Sequence, residues 1–315
     1  DFQVSEFSAA ASAAYTFWTP PGPGGLQPSL SLHYNSQAVD SAIAGHTQAG
    51  WVGMGWSLNT GSIERNMRGT TKDSDDVFSI SAAGVDSLML RGEDGKYHSL
   101  DESFWRIERY EAGDAWKAWD KSGNVYTFGT SQGSRASYPY GYDIDCKKPN
   151  PPTQAQPRTW RWSLSKVRNV YGQEITYTYA QDTQTKRHPC LNYLSAPTTI
   201  ATYPETISYP GGQYRVSFEL EGRGDYNSTW ENTGSWNFYE PHRLKAVHIE
   251  RLAGGVFEKM RSYHLSYAGE IFPGFLWSGG QVASQALVGI QESRTIDGQT
   301  YSLPPTSYSY DGLHL

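Results

Sequence analysis

Pro20-Pro21-Gly22-Pro23-Gly24-Gly25-Leu26 leads into Leu30-Ser31-Leu32-His33-Tyr34-Asn35-Ser36, and Gly50-Trp51-Val52-Gly53-Met54-Gly55-Trp56-Ser57-Leu58 leads into Ser62-Ile63-Glu64-Arg65. The proline and glycine run cannot be helix and offers few donors to a sheet ladder, so it reads as a turn. After it, Leu30, Leu32 and Tyr34 alternate with Ser31 and His33, the period of a strand with one dry and one wet face. Three glycines beside Trp51 and Trp56 predict a close approach of backbone to backbone. Ser62 to Arg65 then leaves as another strand.

Taken together, these pieces resemble the SpvB-like N-terminal region found in the B components of insecticidal toxin complexes and in related Rhs/YD-repeat proteins. The resemblance implies an all-β fold: an antiparallel meander of hairpin repeats forming part of a large curved β-shell. It also implies a role. Such shells hold a cytotoxic C-terminal segment away from the producing cell, so the expected partners are an enclosed polypeptide and other parts of the same large chain.

Composition agrees with strands. Of 315 residues 14% are aromatic and only 18% charged, against about 25% charged in an average soluble protein. A net charge of −6 argues against nucleic acid or an anionic membrane as partner, since both require a basic surface. No stretch approaches the ~20 apolar residues of a membrane span. No signal peptide is visible at Asp1, so a processed form, a fragment and another export route stay open; a secreted location is expected from the resemblance. Residues 1–315 read as one β-rich unit, with a sub-boundary in the proline-rich 138–157 stretch as the one candidate division.

Working outward, Ser8 to Ala14 is small and alanine-rich and admits a single helical turn, while Tyr15, Phe17 and Trp18 read as an edge segment or docking strand. From Val77 come short hairpins: Val77 to Ile80, Ser87 to Leu90 and Lys96 to Leu100, parted by Ala83-Gly84 and Glu93-Asp94-Gly95. Trp105 to Tyr110, Ala115 to Trp119 and Val125 to Phe128 extend the meander. Tyr138 to Pro157 lacks periodicity and reads as a long surface loop. The second half repeats a strand, glycine turn, strand unit three times: Leu164 to Tyr179, Leu244 to Tyr267 and Leu287 to Tyr310, with tyrosines on alternate positions of each return strand. Single hairpins are marginal in water, so these must pair side by side into a continuous sheet. Its terminal edges, near Tyr15 to Trp18 and Tyr308 to Tyr310, are expected to expose rings and backbone groups and to favour self-association.

Candidate chemistry is sparse. Glu219-Leu220-Glu221 resembles the paired glutamates of ADP-ribosyltransferases, but Tyr214, Val216, Phe218 and Leu220 alternate inward and make the glutamates a wet face; no Ser-Thr-Ser strand accompanies them. Arg223-Gly224-Asp225 spells an integrin-type tripeptide, and a turn with an internal ion pair is the preferred reading. Asp73, Asp75 and Asp76 offer hard oxygens for calcium, though a solvated turn explains them better. The eight histidines take no metal spacing, no Gly-x-Ser-x-Gly elbow is present, and Gly22, Gly24 and Gly25 precede a strand, which excludes a phosphate loop. No catalytic residue, cofactor or metal is expected.

Cys146 and Cys190 are the only cysteines. A bridge between them and two lone thiols both stay open, with an extracellular location favouring the bridge. Eleven tryptophans and twenty-two tyrosines are read first as cross-strand packing. The alternative is an extracellular glycan-binding or adhesion module that uses exposed aromatics, for which Trp105, Trp116, Trp119, Trp230 and Trp236 lie nearest to turns.

Overall fold

The computed structural model describes residues 2–4, 11–44, 48–68, 73–110, 114–140, 156–187, 195–225, 239–270, 276–277, 280–281 and 284–310. It is all-β, mostly antiparallel, with one short helix. An N-terminal sheet runs in the order β1 (Phe2–Val4), β2 (Ala11–Phe17), β3 (Leu30–Asn35) and β4 (Trp56–Leu58). Helix α1 (Ser36–Ala44) joins β3 to β4. The helical turn expected at Ser8 to Ala14 is corrected: Ala11 to Ala14 are strand, because pairing with β3 and burial of Phe17 override the weak local preference of alanine. The actual helix follows Asn35, whose Oδ1 accepts the Gln37 backbone N–H at 2.9 Å, and it buries Val39 against Ala49 and Met54.

Next comes a meander of β5 (Ser62–Asn66), β6 (Val77–Ala82), β7 (Val85–Arg91), β8 (Tyr97–Ser99), β9 (Arg106–Tyr110), β10 (Ala115–Trp119) and β11 (Val125–Phe128), followed by β12 (Arg135–Tyr140) and the long β13 (Gln156–Arg168). β13 pairs with β11 through Leu164 to Arg168 and with β5 through Arg161 to Ser163, which closes β5 to β11 and β13 into an eight-strand barrel. Eight strands leave an interior that side chains can fill. Here Ile63, Ile80, Ile107, Trp116, Phe128 and Trp162 fill it. The long loop expected from Tyr138 is corrected at both ends, since β12 runs to Tyr140 and β13 starts at Gln156.

From β13 a sheet of longer strands continues: β14 (Glu174–Arg187), β15 (Ser195–Ser208), β16 (Tyr214–Gly222), β17 (His242–Ala253) and β18 (Val256–Glu270). After the small pair β19 (Leu276–Trp277) and β20 (Gly280–Gln281), β21 (Ser284–Ile296) docks on β18 and carries β22 (Gln299–Ser302) and β23 (Thr306–Ser307). The first two repeat hairpins fall where expected, as β13–β14 and β17–β18. The β17–β18 turn has Gly254 and Gly255 at φ 58° and 84°, the doubly left-handed form that suits a two-residue hairpin. The third repeat is corrected. Its return strand is β22, and Tyr308 and Tyr310 lie beyond it, packed on the N-terminal sheet.

Of the edge rings expected to be exposed, Trp18 is exposed at 39%, with Arg261 4.1 Å over its ring, and the others are covered. Tyr15 and Phe17 meet Tyr263 edge-on at 6.1 and 5.0 Å, Tyr308 lies 4.8 Å from Trp56, and the Tyr310 hydroxyl donates to the Leu287 carbonyl at 2.5 Å. β22 and β23 are exposed throughout, and among the described residues their ladder registers run to β21 alone.

Candidate functional site

The segment that decides the fold also joins its parts. Trp51 accepts the Leu244 N–H of β17 through its carbonyl at 3.0 Å, and Met54 donates its N–H to the Gln285 carbonyl of β21 at 2.8 Å. Between them sits Gly53, at φ 103°, where a Cβ would lie 2.9 Å from the Leu287 nitrogen. Only glycine fits there. The indole N–H of Trp56 donates to the Tyr310 hydroxyl at 2.8 Å, so residues 51–56 tie the N-terminal sheet to two strands of the long sheet.

Arg223 and Asp225 lie at this junction. They form a two-point pair, Nε to Oδ1 at 2.5 Å and Nη2 to Oδ2 at 2.6 Å, with the arginine side chain 0% exposed, and Asp225 Oδ2 also accepts the Gln285 N–H at 3.2 Å. The tripeptide is an internal ion pair as the sequence reading preferred, and it is unavailable to a receptor. Glu240 stands 3.9 Å from Arg223. Its backbone and the Gln48 amide exchange hydrogen bonds at 2.8 and 3.0 Å. Although 31% of its side chain is exposed, the carboxyl is desolvated by the surrounding protein and pushed up to about 7, with Arg223 and Arg161 opposing.

A second ionic cluster closes one end of the barrel interior. Asp76, whose side chain is 3% exposed, bonds Arg158 at 2.6 Å and stands 3.6 Å from Arg65. Arg109 lies 5.4 to 5.6 Å from the rings of Phe78, Trp116 and Trp162. Asp114 pairs with Arg109 at 3.4 Å and accepts from the Trp162 indole N–H and the Thr159 hydroxyl. Burial, together with Arg109 and Arg158, holds the Arg65 guanidinium below its ordinary pKa. The solvated turn expected for the 73–76 aspartates is thus corrected at Asp76, which is an interior counter-ion. Among the described residues no group of three His, Cys, Asp or Glu side chains is arranged to hold a metal ion.

Glu219 and Glu221 behave as a wet face. Glu219 meets Lys245 at 2.6 Å and His248 at 3.1 Å, and Glu221 meets Arg243 at 2.6 Å. The lysine, and then the histidine, hold Glu219 at about 2, while burial pushes the His248 imidazole down. His248 is therefore neutral at pH 7 and its contacts, including Ser262 at 2.8 Å, are hydrogen bonds.

The aromatic candidates divide. Trp116 is 0% and Trp105 8% exposed, which corrects the exposure expected from their places beside turns. Trp116 fills the barrel against Phe78 and Tyr97, and Trp105 stacks on Tyr126 with centroids 4.7 Å apart. Nearness to a turn failed as a signal because in a narrow barrel a strand's first inward residue is already in the core. Trp119 is half-buried with Arg106 4.1 Å over its ring. Trp230, Trp236, Cys146 and Cys190 lie outside the described residues.

The architecture is shared with solved structures. A TcdB2-TccC3 crystal structure matches with TM-score 0.63 at 16% identity over 98% of this chain and 16% of that one. The Photorhabdus luminescens Tc holotoxin pore, carrying the TccC3-D651A mutation, matches with TM-score 0.62 at 17% identity over 96% of this chain and 16% of that one. The N-terminal domain of the effector SpvB from Salmonella typhimurium strain LT2 matches with TM-score 0.56 at 14% identity over 90% of this chain and all of that one. The chain thus spans about a sixth of the length of the Tc chains. No curated protein matches it by sequence. The family model described as Salmonella virulence plasmid 65kDa B protein matches residues 7–230, well over half of the 315, and the chain belongs to this SpvB family.

Proposed function

We propose that the chain is a non-catalytic wall segment of a secreted β-shell, built to continue into more of the same large polypeptide and to enclose another polypeptide. The observation that carries this reading is the long sheet from β13 to β21, which grows outward from a filled barrel and reaches the exposed strands β22 and β23, whose ladder registers among the described residues run to β21 alone. A sheet that ends so invites further strands. Support comes from the fold likeness to chains about six times longer that form Tc assemblies. Sequestration needs no cofactor: a continuous wall of paired strands keeps a guest from proteases and from the producing cell.

The test is to express the complete reading frame that encodes this chain and image the product by electron microscopy. A hollow particle with β13 to β21 in its wall, and a protease-resistant segment that becomes sensitive once the wall is opened, is expected. A particle without a lumen would overturn the proposal.

A further inference from the structure

A cleft of about 660 Å³ opens between the N-terminal sheet and the barrel, within the ~300–1,000 Å³ range of small-molecule sites. Its floor is apolar, made by Leu164 and Val167 of β13, Ile175 and Tyr177 of β14, and Tyr126 of β11. Its rim is polar, carrying Ser29, Ser31, Asn59 and Asn124, with His33 and Asp86 as its only ionisable side chains.

The rim is fixed before any ligand arrives. The Asn59 amide nitrogen donates to Ser81 Oγ at 2.6 Å while its oxygen accepts the Gly61 N–H at 2.8 Å, and Ser31 Oγ lies 2.9 Å from Thr16 Oγ1. At the floor, Tyr177 is buried and lines the cleft. Burial also pushes its pKa far up, so it stays a protonated donor. Of the lining side chains other than tyrosine only His33 and Asp86 are ionisable, and no lysine or arginine is present. A phosphate, sulfate or carboxylate finds no counter-ion there, and a polycation finds a single carboxylate.

A ligand that fits must be neutral, with an apolar face for the floor and several hydroxyls for the serine and asparagine rim and for Tyr177. A pyranose ring has these features: C–H groups on its faces and hydroxyls round its edge. We infer that this cleft is a binding site for a neutral saccharide. It differs from the exposed-tryptophan surface considered above, because Trp105 and Trp119 are not among its lining residues.

Saturation-transfer NMR and calorimetry on the whole chain with maltose, cellobiose, lactose and N,N′-diacetylchitobiose test the inference. At least one disaccharide is expected to bind. Tyr177→Phe, which keeps the ring and removes the hydroxyl, is expected to weaken it about tenfold. Ser29→Trp, at an exposed rim position that leaves the core intact, should abolish binding without moving the unfolding midpoint. Trp119→Ala should leave binding unchanged. No binding by any of the four sugars, preference for a sulfated or sialylated analogue, binding of an unstructured peptide in their place, or loss with Trp119→Ala but not with Ser29→Trp would each overturn it.

Discussion

The barrel encloses a charged cluster, whereas most of the charged pairs across the long sheet face solvent. Arg65, Arg109, Asp76 and Asp114 lie among Phe78, Trp116 and Trp162 at one end of the barrel interior, whereas Glu219, Glu221, Lys166 and Glu174 pair across the wet face of the sheet. The barrel has closed its edges and must satisfy every polar group it buries. The sheet runs out to β22 and β23, paired with β21, and apart from the Arg223–Asp225 pair at its junction and the buried Glu250 it keeps its charges at the surface. β13 serves both regions, closing the barrel through β5 and β11 and carrying the long sheet through β14. Charge removal should accordingly cost a great deal where the pair is buried, in the barrel and at the Arg223–Asp225 junction, and little on the wet face of the sheet.

The largest effect is expected at the buried carboxylates. Asp76→Ala leaves Arg65 and Arg158 without their interior counter-ion and should cost about 3–5 kcal/mol in denaturant unfolding, the range for a broken buried pair. Asp225→Ala strands Arg223 in the same way at the sheet junction. Because β13 is shared, both variants should shift one cooperative transition that covers residues 1–315. Two transitions, each moved by only one variant, would break the comparison into two independently folding units. Trp116→Ala comes next, at about 3–5 kcal/mol for an excavated barrel core, while Trp119→Ala at the half-buried position should cost clearly less. Equal costs would mean that the barrel repacks around the hole.

A pH titration sharpens the comparison further. Glu240 has its folded pKa raised to about 7 by burial, so the unfolded chain releases this proton at lower pH than the folded one. Its contribution to stability is fully present below the ordinary glutamate range and is lost as pH rises through about 7. Glu219 runs the other way: held at about 2 by Lys245 and His248, it contributes above the ordinary range and loses that contribution as pH falls through about 2. Glu240→Gln should therefore flatten the decline in unfolding midpoint between about pH 4.3 and pH 7, a window set by the ~4.3 reference for glutamate and the shifted value. An unchanged slope in that variant would assign the decline to another group.

The sheet was legible in the sequence because each of its signals is local. Alternating Val216, Phe218 and Leu220, the Gly254-Gly255 turn and the tyrosines of β14 each carry strand or turn geometry within a few residues. The resemblance at Leu30 to Ser36 and Gly53 to Leu58 marked the family, and Gly53 meets backbone as its setting implied. Barrel closure was not legible, because it rests on Arg161 to Ser163 pairing with Ser62 to Glu64 about a hundred residues away, and no periodicity records that register. Helix α1 was missed for a related reason: Ser36 to Ala44 has a weak apolar face, and only contacts of Val39 with Ala49 and Met54 justify it. The saccharide cleft is likewise an encounter of distant segments, from the turns near Gly25, Asn59 and Gly84 to the strands of its floor.

The smallest expected effect is on the first repeat hairpin. Lys166 and Glu174 pair at 2.8 Å with both side chains more than a third exposed, so water and salt screen most of their attraction. Lys166→Met should change unfolding free energy by no more than about 1 kcal/mol, the range of exposed pairs, and the change should vanish at high ionic strength. The contrast with Asp76→Ala is the point of the measurement. Salt should leave the Asp76 effect nearly intact, since that carboxylate is shielded inside the barrel. If Lys166→Met proved as costly as Asp76→Ala, or if salt erased both equally, the division between a barrel held by interior charge and a wet sheet face that only wears its charges would be wrong.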